Sequence, residues 1–370
     1  MAAYTTIDKP SDYFNTIIWT GASDTANRAF TGVGFQPDLV WSKIRDDTYH
    51  HNWFDSVRGA GSDKEINSDT SGTEGSGDTD GYGFISSFDT DGFSTTQGTA
   101  SGGRNLEYNQ NNNTFVAWNW KAGTSASGNT SGEGTAKSYS SSSNSTSGFS
   151  IVKYVGNGTA NHAIPHGCGT APKMIIVKTT TKANQAWPVD CRQGNDGAGG
   201  VMYLNETGTL GGYADSSPFT SVAPTSSVFS VGSPGNTNYN DDTYIAYCFA
   251  EKSGYNSMKQ YIGNNNANGT FVYTGFKPAF VMVKIGDTQT DGWVIQDNKR
   301  DISNTGTSTR LRANTSNAEF TSTNEIDLLS NGFKCRGDDG EINGNGSKHI
   351  YMAFAENPFV TSTGVPATAR

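Results

Sequence analysis

A chain of 370 residues with 34% hydrophobic, 11% aromatic and 16% charged side chains, and 45 glycines, is patterned enough to fold and favours short strands and turns over helices. Its formal net charge is −9 and it has no Lys/Arg block, which argues against a nucleic-acid partner. No stretch approaches the ~18 consecutive apolar residues of a membrane span, and "MAAYTTIDKPSDYF" lacks a signal-peptide layout, so assembly in a cytoplasm without membrane insertion is expected.

Taken in chain order, the predicted elements repeat. "GFQPDLVWSK" is followed by Trp53 and closed by "FVAWNWKAG". "GTAPKMIIVK" is followed by Trp187 and "YIAYCFAEK", and "TGFKPAFVMVK" by Trp293 and "IYMAFAENPF". Aligned on Pro37, Pro172 and Pro278, the tryptophans fall at +16, +15 and +15 and the alanines Ala117, Ala246 and Ala353 at +80, +74 and +75. The chain therefore reads as three copies of one unit: residues 1–123, 148–253 and 254–370. Residues 124–147, rich in Ser, Gly and Thr, read as a flexible linker between the first two.

In each proline strand both alternating faces are apolar: Leu39/Trp41 and Val40/Ser42, Met174/Ile176 and Ile175/Val177, Phe280/Met282 and Val281/Val283. Such a strand is central and covered on both sides. The closing strands place Val116/Trp118/Trp120, Ile245/Tyr247/Phe249 and Met352/Phe354 on a core face, with the alanines opposite. Asp-Gly and Asn-Gly turns join shorter strands, and no amphipathic helix is evident. The expected class is all-β: three tandem antiparallel β-sandwich units of jelly-roll type, each with its own core.

Candidate sites are few. His50 and His51 would point to opposite faces of a strand and could not chelate one ion. Asp78, Asp80, Asp89 and Asp91 stand in D-x-D-G form, half of a calcium loop without its terminal glutamate, and read more simply as turns. Trp53, Trp187 and Trp293 are each followed by an acid and a base (Asp55/Arg58, Asp190/Arg192, Asp297/Arg300), a structural tryptophan with an ion pair. Non-repeated residues are the better receptor-binding candidates: Tyr49, His51, Tyr82 and Tyr108 in the first unit, Tyr203 and Tyr213 in the second. The long loop 59–90 is expected to carry recognition and to tolerate deletion of residues 62–82. Cys248 and Cys335 read as buried thiols, while Cys168 and Cys191 could pair. No nucleophile motif, phosphate loop or cofactor motif is visible, and no enzyme activity or cofactor is expected; a carboxylate pair acting on a polysaccharide is the one chemistry the motifs leave open.

The phrases "YFNTIIWTG", "TGVGFQPDLVWSK", "FVAWNWKAG", "HGCGTAPKMIIVK" and "IYMAFAENPF" resemble a repeat family in virion proteins of tailed bacteriophages, especially those of marine cyanobacteria. Cys168 stands where that family usually has an apolar residue. The resemblance implies a lectin-like jelly-roll fold, a virion location and virion proteins as partners. It makes a trimeric tail fibre, spike or similar appendage contacting a host-surface glycan the expected role, with a capsid decoration or tail/baseplate component as the alternative. It carries over no catalytic or binding residues.

Overall fold

The computed structural model describes residues 4–76, 79–192, 200–287, 290–301, 304, 306–323 and 325–366, and the side chains of Thr79, Asp80 and Glu325 are left aside. The described chain is nearly all-β, with antiparallel pairing throughout and three four-residue α-helices. Three large sheets share one strand order, and each is stacked against a small three-stranded sheet. Sheet I runs Phe14–Thr20, Thr114–Trp120, Leu39–Ile44, Asn52–Asp55, Ile66–Asn67. Sheet III repeats the order with Asn256–Ile262, Lys348–Pro358, Phe276–Ile285, Val294–Asp297, Ser308–Arg312 and Phe320–Ser322. Sheet II does the same with Phe149–Val155, Thr243–Phe249, Met174–Thr179, Pro188–Cys191 and Val201–Tyr203.

Both faces of each proline strand are buried, as the sequence requires, and they go to different cores. Val40, Ile175/Val177 and Val281/Val283 meet the copy's own small sheet, in three separate clusters that also contain Ala117, Ala246 and Ala353. Small residues there let the small sheets lie close. Leu39/Trp41, Met174/Ile176 and Phe280/Met282 face inward with the closing-strand aromatics, and all three inward faces merge into one cluster. Trp120, Phe249 and Phe354, one from each large sheet, touch mutually at ring separations of 6.2, 5.6 and 5.9 Å. The expectation of an independent core for each unit fails on this point. Each copy keeps a cluster of its own on the small-sheet side, and the inner faces are buried in the cluster that all three share.

The Ser/Gly segment is also structured. Thr124–Asn129 and Ser138–Asn144 pair with each other, and the second pairs with Phe149–Val155, so residues read as linker lengthen sheet II by two strands. A ladder needs only backbone donors and acceptors, which serine and threonine supply as well as valine does. Composition misled because the outermost strand, Thr124–Asn129, buries no side chain. Cys168, Cys191, Cys248 and Cys335 are all buried free thiols, so the Cys168–Cys191 pairing does not form.

If the shared core is what closes each unit, the excised segment 148–253 would present its inner aromatic face to water. It is expected to aggregate or remain unfolded by circular dichroism, and a soluble, cooperatively melting fragment would contradict this account.

Candidate functional site

Polar groups with unusual chemistry gather in two places, the seams between the large sheets and one end of sheet I. Each acid–base pair that follows a tryptophan is formed: Asp55–Arg58 at 2.5 Å and Asp297–Arg300 at 2.6 Å lie at the seams, and Asp190–Arg192 at 3.1 Å lies on the small-sheet side of its own copy. Asp55 and Asp297 each also accept two backbone N–H bonds from the turn that follows them. A closing-strand aromatic of a neighbouring copy donates to each: Tyr247 Oη to Asp55 Oδ2 at 2.8 Å, and Trp118 Nε1 to Asp297 Oδ2 at 3.0 Å. The third copy has Met352 at the equivalent register, opposite Met282 as Trp118 is opposite Trp41 and Tyr247 opposite Ile176, and Met352 has no donor. The second copy has Cys191 where the others have Asp55 and Asp297. Asp190, on the other face of that strand, takes a hydrogen bond from Tyr213 of its own copy at 2.7 Å. The electrostatics follow. Burial opposes the charge of Asp297, yet Arg300 and the surrounding donors hold its carboxyl below the usual range, whereas burial wins at Asp190 and raises it.

The strand lysines, Lys43, Lys178 and Lys284, lie four residues along their strands from Leu39, Met174 and Phe280, and have no carboxylate within ion-pair reach among the described residues. Lys178 Nζ donates to Gln185 O at 3.1 Å and to Ser71 O of the first copy at 3.5 Å. Lys284 Nζ donates to Ile285 O and to Thr207 O of the second copy, both at 3.0 Å. Lys43 keeps to Ile44 O and Asp47 O. Burial presses Lys178 down to about 7 and Lys43 and Lys284 to about 8. The tryptophans cross the same seams: Trp187 Nε1 donates to Thr70 O and Trp293 Nε1 to Tyr203 O, while buried Trp53 Nε1 has no partner among the described residues.

At the end of sheet I, Glu65 and Glu107 are buried together, with Asn67 donating to Glu65 at 2.7 Å and Asn52 to Glu107 at 3.2 Å. Burial first, and the neighbouring Glu107 second, raise Glu65 well above the carboxylate range. Tyr108 is buried against this pair, its hydroxyl donating to Glu65 at 3.5 Å. His51 is buried too, accepting from Trp41 Nε1 at 2.9 Å, and burial pushes it down to about 3. As receptor contacts, both are corrected: neither side chain reaches solvent. Tyr49 and Tyr82 are half-buried, with rings 5.7 Å apart, and stand nearest to surface contacts in that group. Tyr203 is half-buried in a polar pocket of about 520 Å³ with Asn184, Asn205 and Asn236, and Tyr213 serves Asp190.

The loop 59–90 does not hang free. Ile66 lies in the shared core, Ser68 Oγ donates to Ala313 O at 2.8 Å, and Glu74 N donates to Thr180 O at 3.1 Å, so deleting 62–82 would remove a strand and two seams. Asp91 accepts from the backbone of Gly32 and Gly34, and Asp89 from Ser87 and Ser94, so both act as turn fasteners. Asp78 lies outside the described residues, and no group of three or more His, Cys, Asp or Glu able to hold a metal occurs among those described.

The sequence reading missed Phe271 and Tyr273, which are 44% and 53% exposed on the third small sheet. Their signal was present, since the register places Ala29 and Thr31 at the same positions of the first copy and Ala163 and Pro165 at those of the second.

A family profile described as a domain of unknown function, DUF7483, matches residues 9–358. Comparison with curated proteins and with solved structures returned no match.

Two measurements check the seam chemistry. Asp297→Asn leaves Arg300 buried without its principal counter-charge and is expected to cost about 3–5 kcal/mol in denaturant unfolding. Asp190→Asn, removing a carboxylate that burial already disfavours, is expected to cost about 1 kcal/mol or less, and equal losses would refute the asymmetry. The lysines are lowered from about 10.5, so between about pH 7 and 10 the unfolded chain binds more protons and stability rises with pH. Lys178→Met is expected to flatten that rise, and an unchanged pH profile would show that Lys178 is not its source.

Proposed function

The chain belongs to the DUF7483 family of domains of unknown function, and we propose that it is a structural protein of a tailed-bacteriophage virion, with its three copies lectin-like jelly-roll sandwiches. The motif resemblance supplies the virion reading. The observation that carries the structural role is the use made of the chemistry-bearing residues. Four cysteines, His51, His162, His166 and His349, and three acid–base pairs are turned inward as packing or seam contacts. The chain as a whole is acidic, with a net charge of −9. Within the virion we propose an appendage that contacts the host surface, as a homo-oligomer with a trimer favoured.

A second reading, a capsid decoration or tail/baseplate component bound only to other virion proteins, is favoured by one feature. Thr124–Asn129 is an outermost strand with no charge and no proline, and all six of its residues are exposed. Unprotected edges of this kind accept a further strand from a neighbour.

Electron cryo-microscopy of the intact particle tests both. Density for this chain at a fibre or tail-tip position is expected. Density in the capsid lattice or a tail ring would transfer the assignment to the second reading, and absence from the particle would end both.

A further inference from the structure

The strand Phe271–Tyr273 is the outermost of its small sheet, and its outward side chains alternate exposed, buried, exposed. Phe271 and Tyr273 share the outer face, roughly 6.8 Å apart along the strand. Folding does not demand them. The first copy builds the same outermost strand with Ala29 and Thr31 in these positions, and the second has Ala163 and Pro165 there, on a strand covered by Ser131–Gly132. The internal repeat thus acts as its own control: two copies fold without the aromatics, and one copy exposes them.

Behind Tyr273 opens a pocket of about 350 Å³ lined by Tyr4, Glu251, Lys252, Asn256 and Lys259. Tyr4 fixes the platform: its hydroxyl donates to Gly275 O at 2.6 Å and lies 3.2 Å from the Tyr273 hydroxyl. Glu251 is partly engaged, accepting from Ser257 Oγ and Met258 N through one oxygen. Lys334 stands directly across the ladder from Phe271, with its ammonium on Asn268. Lys252, Lys259 and Lys334 form no ion pair among the described residues, so on a chain of net charge −9 this platform is bordered by three lysines, with Glu251 lining the same pocket.

We propose that the Phe271/Tyr273 face and the pocket beside it bind an acidic saccharide, its ring faces on the aromatics and its carboxylates toward Lys252, Lys259 and Lys334. Flat aromatic faces take the apolar side of a sugar ring, and the lysines select charge. This deepens the host-contact reading and rests on it.

The test uses the full-length protein and isothermal titration with oligogalacturonate and alginate hexamers, with maltohexaose as the neutral control. Binding of at least one acidic oligomer is expected, weakening as NaCl rises from about 50 to 500 mM. In the double variant Phe271→Ala/Tyr273→Thr, which installs the first copy's own residues, affinity should fall at least tenfold with an unchanged melting temperature. Lys259→Gln should weaken acidic oligomers several-fold. No binding to either acidic oligomer, equal binding of maltohexaose, or full affinity in the double variant would overturn the proposal. So would a wild-type dimer in sedimentation that the double variant abolishes, since the face would then belong to a second copy. Titration in solution is independent of where the chain sits in a particle, so failure here is distinguishable from failure of the virion assignment.

Discussion

Each large sheet has two apolar faces and only one small sheet to cover them. That imbalance organises the rest of the molecule. A closing strand such as Thr114–Trp120, with Val116, Trp118 and Trp120 on its inner face, cannot be left against water, and Phe249, Phe280 and Phe354 of the other copies pack onto that face. Three such faces turned together solve the problem jointly. Large aromatics suit the geometry because they span the gap where three twisted sheets diverge, and their mixed edge and stacked contacts need no strict periodicity.

Turning the faces inward also carries polar groups into the interior, and the seams are where these are satisfied. The first and third copies use one solution, an aspartate fixed by its arginine, by backbone donors and by an aromatic N–H or O–H from a neighbour. The second departs from it, because Cys191 stands where the others have aspartate, and Asp190 is held within its own copy by Arg192 and Tyr213. Similarity among the copies is therefore a matter of packing. Hydrogen bonding has diverged beneath it, and the exposed positions have diverged furthest, down to the replacement of Ala29 and Ala163 by Phe271.

Much of this was legible in the sequence. Period-two apolar runs gave the strands, and the repeat gave the common strand order. The acid and base after each tryptophan gave the ion pairs, since a charge buried beside a large ring must be matched. What was not legible was partnership. Two apolar faces on Met174–Thr179 say that both are covered, without saying that one is covered by another copy. Polar Thr124–Asn129 pairs through its backbone, which side-chain patterns do not report. Tyr108 and His51 looked like surface residues because they do not repeat, but they line a buried cluster peculiar to the first copy.

The ends of the chain meet on the third copy. Tyr4 Oη donates to Gly275 O, Ser253 Oγ donates to Tyr4 O, and Ser362 N donates to Asp8 Oδ1, a contact between residues 354 positions apart. During synthesis the first copy emerges with its tryptophan face finished in sequence and unfinished in space. At about 5–20 residues per second that face stays wet for tens of seconds, until Phe354 has left the ribosome. The nascent chain thus carries its most adhesive surface while the other two copies are being made, and its yield in a cell depends on what shields that surface in the interval.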